Sequence, residues 1–431
     1  MNAPSFPGPH DVTRVVFDNG LTVLVRENHA APVAVLDGYL PVGAIHDPLD
    51  KTGLGHFVAS MLTRGSAHYD FDAFNEAIES IGASLSASGE THTTAFGTVS
   101  LSEDFPHMVE ILADMLRRPT FPAEQLARLR QQMLVAIQER DQDTQRAANL
   151  RFYETIYPNH PYGRAITGYK ETVRAIERAD LEHFYASHYT PNGAAIVIVG
   201  DVETPRVLDL LHQHLGDWRG PAPSQETPPL EAIPRAAHIA IPMPGKVQAD
   251  IVLGCPAIPR NHPDYYAVRV ANTVLGVFGM MGRLGHAVRE EQGLAYYCYS
   301  SHDAELHAGV WVAEAGVNPE DTAQAIDSIL AEFDRLANEP VPDDELADSQ
   351  AYMTGVLPLA LETNGGVAAR LLDMEWYGLG LDYLQRYRDL INRVTPADVQ
   401  RVAQSYLDTE HYTLVVAGPV SSLQSPVSRF F

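Results

Sequence analysis

Apolar residues at Leu54, Phe57, Val58, Met61 and Leu62 recur at three- and four-residue intervals, which predicts a helix over 53–62 with one buried face. The same periodicity predicts a helix over 105–117, with Pro106 in its first turn, where a missing N–H costs nothing. Few Gly or Pro interrupt 122–157, and Leu126, Leu129, Met133 and Ile137 mark its buried stripe. One or two long helices packed across a sheet are expected there. Shorter apolar runs read as strands. Val15-Val16-Phe17 and Leu21-Thr22-Val23-Leu24-Val25 flank Asp18-Asn19-Gly20, a hairpin signal. Strands that precede and alternate with long helices make the chain α+β.

The pattern then repeats. Ala34-Val35-Leu36-Asp37-Gly38 corresponds to Asp250-Ile251-Val252-Leu253-Gly254, 216 residues later. Ala195-Ile196-Val197-Ile198-Val199-Gly200 corresponds to Thr413-Leu414-Val415-Val416-Ala417-Gly418, 218 residues later. Between the copies lies Arg219-Gly220-Pro221-Ala222-Pro223-Ser224-Gln225-Glu226-Thr227-Pro228-Pro229, which cannot continue a helix or a central strand. Two copies of one domain are inferred, 1–218 and 236–431, joined by a linker over 219–235.

Composition narrows the function classes. A net charge of −25 argues against nucleic acid or an anionic membrane surface as partner. No apolar run reaches the ~20 residues of a transmembrane helix, and the first residues lack a basic-then-apolar secretory pattern. A cytoplasmic location is expected. The two cysteines, Cys255 and Cys298, sit in apolar runs and read as buried free thiols.

The candidate chemistry starts at the first helix. Its sequence, Gly53-Leu54-Gly55-His56-Phe57-Val58-Ala59-Ser60-Met61-Leu62, resembles the zinc helix of the pitrilysin-like (M16) peptidases, whose pattern is His-x-x-Glu-His. That chemistry needs two imidazoles one turn apart to hold zinc and a carboxylate between them to take a proton from its water. His56 stands, but Ala59 replaces the base and Ser60 the second ligand. The family's third ligand, a Glu on a later helix, falls on Ala136. One imidazole cannot hold a zinc ion.

Farther along, His160-Pro161-Tyr162-Gly163 matches a family signature, and Val288-Arg289-Glu290-Glu291-Gln292-Gly293-Leu294-Ala295-Tyr296 is similar to the family's Arg/Tyr element with its spacing intact. The resemblance covers about 15–420. It implies two homologous domains, each a mainly antiparallel sheet covered by helices. It also implies two chains closing around a peptide chamber. In two-chain members one subunit carries the zinc motif and the other the Arg/Tyr pair, and this chain looks like the second kind. The implied partner is a homologous catalytic subunit with an intact motif and its zinc, and the implied substrate is a peptide. Arg289 and Tyr296 are the candidate catalytic residues, because a guanidinium and a phenol near a scissile carbonyl can orient it and stabilise its oxyanion. No cofactor is expected in this chain. An inert scaffold, like the core proteins of respiratory complexes, is the alternative.

Three further features carry weaker readings. Gly276, Gly279 and Gly282 punctuate a stretch before Arg289, where the family places a flexible loop over its substrate, and are candidate substrate-binding positions. Ile81–Ser88 reads as an edge strand, which the catalytic chain of such a pair uses to accept an extended peptide; here a short solvated strand is expected. His302 and His307, five residues apart, would point about 140° apart on a helix and cannot share an ion. Surface histidines are expected there.

Overall fold

The computed structural model describes residues 6–222, 230, 236–419 and 427–430. Eleven strands among these residues form two sheets. The first contains β1 (Thr13–Val16), β2 (Thr22–Glu27), β3 (Val33–Leu40), β4 (Ser84–Gly89), β5 (Thr94–Leu101) and β6 (Ala195–Gly200), in the order β1-β2-β6-β3-β5-β4. The second contains β7 (Ala237–Pro242), β8 (Ala249–Ala257), β9 (Ala295–Ala304), β10 (Gly309–Val317) and β11 (Thr413–Gly418), in the order β7-β11-β8-β10-β9. Each sheet has one parallel pairing, β2 with β6 and β7 with β11, and antiparallel neighbours elsewhere. The sequence repeat therefore maps strand onto strand: β3 matches β8 and β6 matches β11.

The predicted hairpin forms, with β1 antiparallel to β2 across a turn whose Gly20 takes φ +84°. The predicted helices form over Leu54–Leu62 and Phe105–Arg117. The long stretch resolves into two helices, Ala123–Gln142 and Thr144–Ile156, separated at Asp143, whose carboxylate accepts from the Arg146 N–H and caps the second.

The chain divides into two compact units. One comprises 1–138, 164–228 and 358–385, and the other 139–163, 229–357 and 386–431. In the first, the Asn364–Trp376 helix packs on β3 and β6, burying Val367, Ala368, Leu371 and Met374. In the second, the Thr144–Ile156 helix packs on β8 and β11, burying Ala148, Phe152 and Ile156. Each sheet thus takes one covering helix from the other half of the sequence. The linker expected over 219–235 lies largely outside the described residues. Cys255 and Cys298 are free and buried, and no helix among the described residues is long and apolar enough to cross a membrane.

Candidate functional site

The helix that resembles a zinc helix begins at Gly53, whose φ of +99° and close approach to the Gly168 backbone both favour glycine. Asp47 caps it. One carboxylate oxygen accepts from the Gly53 N–H at 2.7 Å and the other from the Gly55 N–H at 2.7 Å. Burial pushes the Asp47 carboxyl up to about 7, against the pull of those backbone donors. Every residue of Leu54–Leu62 is buried except His56 and Ser60. The helix contacts β4, β5 and the Arg178–His188 helix, so its buried surface wraps beyond one face. Ala59, at the position of the motif's base, is fully buried.

His56 is half-buried, its Nδ1 3.3 Å from the carbonyl oxygen of Gly89 at the end of β4. Ala136 is exposed on the Ala123–Gln142 helix. Among the described residues, no group of three or more His, Cys, Asp or Glu side chains is arranged to hold a metal ion. The family's zinc needs at least three protein ligands, and these positions offer one imidazole, one hydroxyl and two methyl groups. The residues present do not fit it.

The second candidate block is built differently. The Tyr265–Gly276 helix is followed by a short helix, Phe278–Leu284, and then by a π-helical turn, Gly285–Glu291, that carries Arg289. Such wide turns insert a residue into a helix and are frequent at functional sites. The Gly293 N–H bonds back to the Arg289 carbonyl at 3.1 Å and the Leu294 N–H to the Val288 carbonyl at 3.0 Å. Gly293, at φ +67°, turns the chain into β9.

Tyr296 falls where β9 slips against β10. Ala295 pairs with Val317 and Tyr297 with the adjacent Gly316, so Tyr296 is the extra residue of a β-bulge. Bulges at a sheet edge re-aim a side chain. Tyr296 is 68% exposed on the edge strand, whereas Cys298, two residues on, is buried. Among the described residues neither the Arg289 guanidinium nor the Tyr296 hydroxyl has a hydrogen-bond or ion-pair partner. The structure therefore places Arg289 and Tyr296 on consecutive elements of one unit, and His56, Ala59, Ser60 and Ala136 in the other.

The glycines ahead of Arg289 do not form an open loop. A Cβ at Gly276 would fall 2.3 Å from the Ser300 backbone nitrogen, and one at Gly282 (φ +66°) would fall 2.6 Å from the Val274 carbonyl oxygen. These two are packing glycines. Gly279, at φ +47°, faces open space.

One cluster was not picked out from the sequence. The Tyr297 hydroxyl donates to Asp250 at 2.5 Å, and the Tyr299 hydroxyl and the Asn149 amide both reach Glu314, the latter at 2.7 Å. Burial and the Asp250 carboxylate hold the Tyr297 phenol well above its ordinary range. The available signal was a lone acid in each of two apolar strands, Asp250 in β8 and Glu314 in β10. His302, expected at the surface, is instead buried. It lies on the core-facing side of β9, its Nε2–H 3.0 Å from the Ile258 carbonyl oxygen, because its register in the strand alternates with half-buried Ser301 and Asp303.

Comparison with known proteins agrees with this architecture. A family model described as "Insulinase (Peptidase family M16)" matches residues 22–170, and one described as "Peptidase M16 inactive domain" matches 175–353. An uncharacterized zinc protease of Streptomyces coelicolor is 26% identical over 96% of this chain and 91% of its own length. Subunit 1 of the mitochondrial cytochrome b-c1 complex of Bos taurus is 27% identical over 60% of this chain and 54% of its own. Among solved structures, a peptidase M16 inactive domain from Pseudomonas fluorescens superposes with a TM-score of 0.88 at 25% identity, covering 95% of this chain and 98% of that one. A protease from Helicobacter pylori shares the fold, with a TM-score of 0.87 at 20% identity over 96% and 100% of the two chains.

Proposed function

The chain belongs to the M16 peptidase family, and on that premise we propose that it is the non-catalytic subunit of a two-chain M16 peptidase. A homologous partner with a complete His-x-x-Glu-His motif carries the zinc. This chain contributes Arg289 and Tyr296. The observation that carries the proposal is the contrast between the two blocks: the zinc positions hold an alanine packed into the core and an alanine in solvent, while the Arg/Tyr pair keeps its spacing, with Tyr296 exposed and neither polar group partnered among the described residues. The Tyr296 hydroxyl donates to the carbonyl oxygen of a bound peptide as that oxygen gains charge, and Arg289 steadies the carbonyl or the phenol.

A second reading has its own support. Similarity to a cytochrome b-c1 complex subunit over 60% of the chain favours a scaffold in which the pair is structural. Co-expression with a homologous chain bearing the complete motif, followed by cleavage assays on a quenched fluorescent peptide, separates the two. Cleavage that requires both chains supports the first reading. A stable pair in which the motif-bearing chain cleaves equally well alone supports the second.

A further inference from the structure

Asp250 of β8, Gly316 of β10 and Tyr297 of β9 stand in one row across three strands, with Gly316 paired to Asp250 on one side and to Tyr297 on the other. The row lies on the sheet face opposite Ile251, Ala315 and Cys298, which belong to the core. Neighbouring strands run ~4.8 Å apart, so a side chain on the middle strand would ordinarily separate the outer two. Here the middle residue has none. A Cβ at Gly316 would fall 2.5 Å from Tyr297 Cε1, 2.7 Å from Gln248 Nε2 and 3.1 Å from Asp250 Oδ1. The Tyr297 ring thus lies over the Gly316 backbone. Its hydroxyl donates to Asp250 Oδ1 at 2.5 Å, and Gln248 Nε2 donates to the same oxygen at 2.9 Å.

Asp250 is 1% exposed, and its Oδ2 is buried with no hydrogen-bond partner among the described residues. A carboxylate buried on neutral donors is less stable there than an apolar residue of similar size. Stability alone does not account for an acid at this position.

The row ends at the bulge. Tyr297 is the first residue of β9 after the slip, and Tyr296 is the extra residue itself. In an unbroken strand Tyr296 would share the core-facing side with Cys298; the extra residue lets it turn outward. β9 ends its sheet, with β10 as its one neighbour among the described strands, and the bulge interrupts that single ladder. A side-chain anchor beside the slip is what keeps it at Tyr296.

We propose that Asp250, Gly316 and Tyr297 are positioning residues for Tyr296: the Tyr297 phenol, laid across Gly316 and tied to Asp250, fixes the bulge and with it the outward aim of the Tyr296 hydroxyl. This rests on the catalytic reading of Tyr296 given above and deepens it, since the row acts through Tyr296 rather than on the substrate.

The test uses the two-chain enzyme reconstituted with a homologous chain bearing the complete motif and a quenched fluorescent peptide, in two backgrounds, unaltered and Tyr296→Phe. Tyr297→Phe removes one oxygen, Asp250→Ala removes its acceptor, and Gly316→Ala displaces the ring with both polar groups present. In the unaltered background each should lower kcat about tenfold or more with little change in KM, because a ~1 Å misplacement can cost ~10²-fold. Asp250→Asn keeps an acceptor and should retain most of the turnover. In the Tyr296→Phe background none of them should lower kcat further, because no hydroxyl remains to be misplaced. An equal loss in both backgrounds reports fewer folded molecules and overturns the proposal. So does unchanged kcat in all three variants while Tyr296→Phe lowers it, a result that leaves the catalytic reading standing. If Tyr296→Phe itself leaves turnover unchanged, the catalytic reading falls and this proposal with it. Should Asp250→Ala fail to fold, Tyr297→Phe and Gly316→Ala decide.

Discussion

Arg14 and Glu375, 361 positions apart in the chain, form a bidentate ion pair at 2.8 and 2.7 Å. The pair fastens β1 to the helix Asn364–Trp376 that the C-terminal half lends to the first sheet, and Trp376 of that helix meets Tyr39 edge-on at 5.0 Å. Each sheet would lose a covering helix if the halves were separated. Fragments 1–218 and 236–431 expressed singly should therefore lack native near-UV circular dichroism, and mixing them should restore it. A cooperative thermal transition in isolated 1–218 would contradict this. Within the whole chain, Leu371→Ala should cost about 2–5 kcal/mol, seen as faster amide exchange in β3 and β6.

Gly38 and Gly254 were legible as a repeat, and the structure gives the reason. A Cβ at Gly38 would fall 2.5 Å from the Phe96 ring and 2.7 Å from the Ala195 carbonyl oxygen; one at Gly254 would fall 2.5 Å from the Trp311 carbonyl oxygen. In both sheets this strand has a neighbour on either side, so there is nowhere to shift. Gly38→Ala and Gly254→Ala should each destabilise by about 1–3 kcal/mol, measured by denaturant midpoint. A neutral result at either site would show that the strands can part.

What the sequence made visible follows periodicity and spacing. The helix over 105–117, the β1–β2 hairpin and the Arg289–Tyr296 block all rest on short-range patterns that no distant contact overrides. The helix exchange was hidden because Phe152 and Leu371 look like core positions for any sheet, and nothing local says which. The motif alone does not show that Ala59 is buried; it is so because strands and a second helix crowd the same nine-residue helix. The bulge at Tyr296 was equally silent, since it lies at the very start of β9, where no preceding alternation exists for a one-residue slip to break.

Acid should weaken the fold through His302. Burial, the largest cause, lowers its pKa from 6.5 to about 4, with the Ile258 carbonyl opposing. Between pH 6.5 and 4 the unfolded chain holds a proton on this residue that the folded chain lacks. Its contribution is therefore complete above pH 6.5 and is lost as pH falls toward 4, by about 3 kcal/mol in total. Asp47 acts in the opposite sense. Its folded pKa is raised to about 7 from 3.8, so its contribution is complete below about pH 4 and is lost as pH rises to 7. The diagnostic measurement is the difference in unfolding free energy between the unaltered chain and His302→Gln, in which Asp47 cancels. That difference should shrink from pH 7 to pH 4.

The zinc positions should resist repair by single changes. Ala59→Glu puts a carboxylate into a fully buried position and should cost about 3 kcal/mol or more in stability. The unaltered chain, dialysed with zinc and washed, should retain far less than one ion per chain by elemental analysis. A stoichiometric ion that disappears in His56→Ala would show that ligands from elsewhere complete the site.

The pair Arg289–Tyr296 is tested by kinetics in the reconstituted two-chain enzyme. The bulge holds the phenol outward on a sheet edge, and the π-helical turn carries the guanidinium on the preceding element. Neither group is committed to a described neighbour, so removing either one should leave the fold intact. If Tyr296 donates to the substrate carbonyl oxygen only as charge develops there, Tyr296→Phe lowers kcat by ~10²–10³ with little change in KM. Arg289→Ala should lower kcat/KM as well, with assembly and the partner's zinc content unchanged in both variants. Turnover unaffected by both substitutions would remove the catalytic role and leave the scaffold reading, because a pair that faces no substrate has no rate to alter.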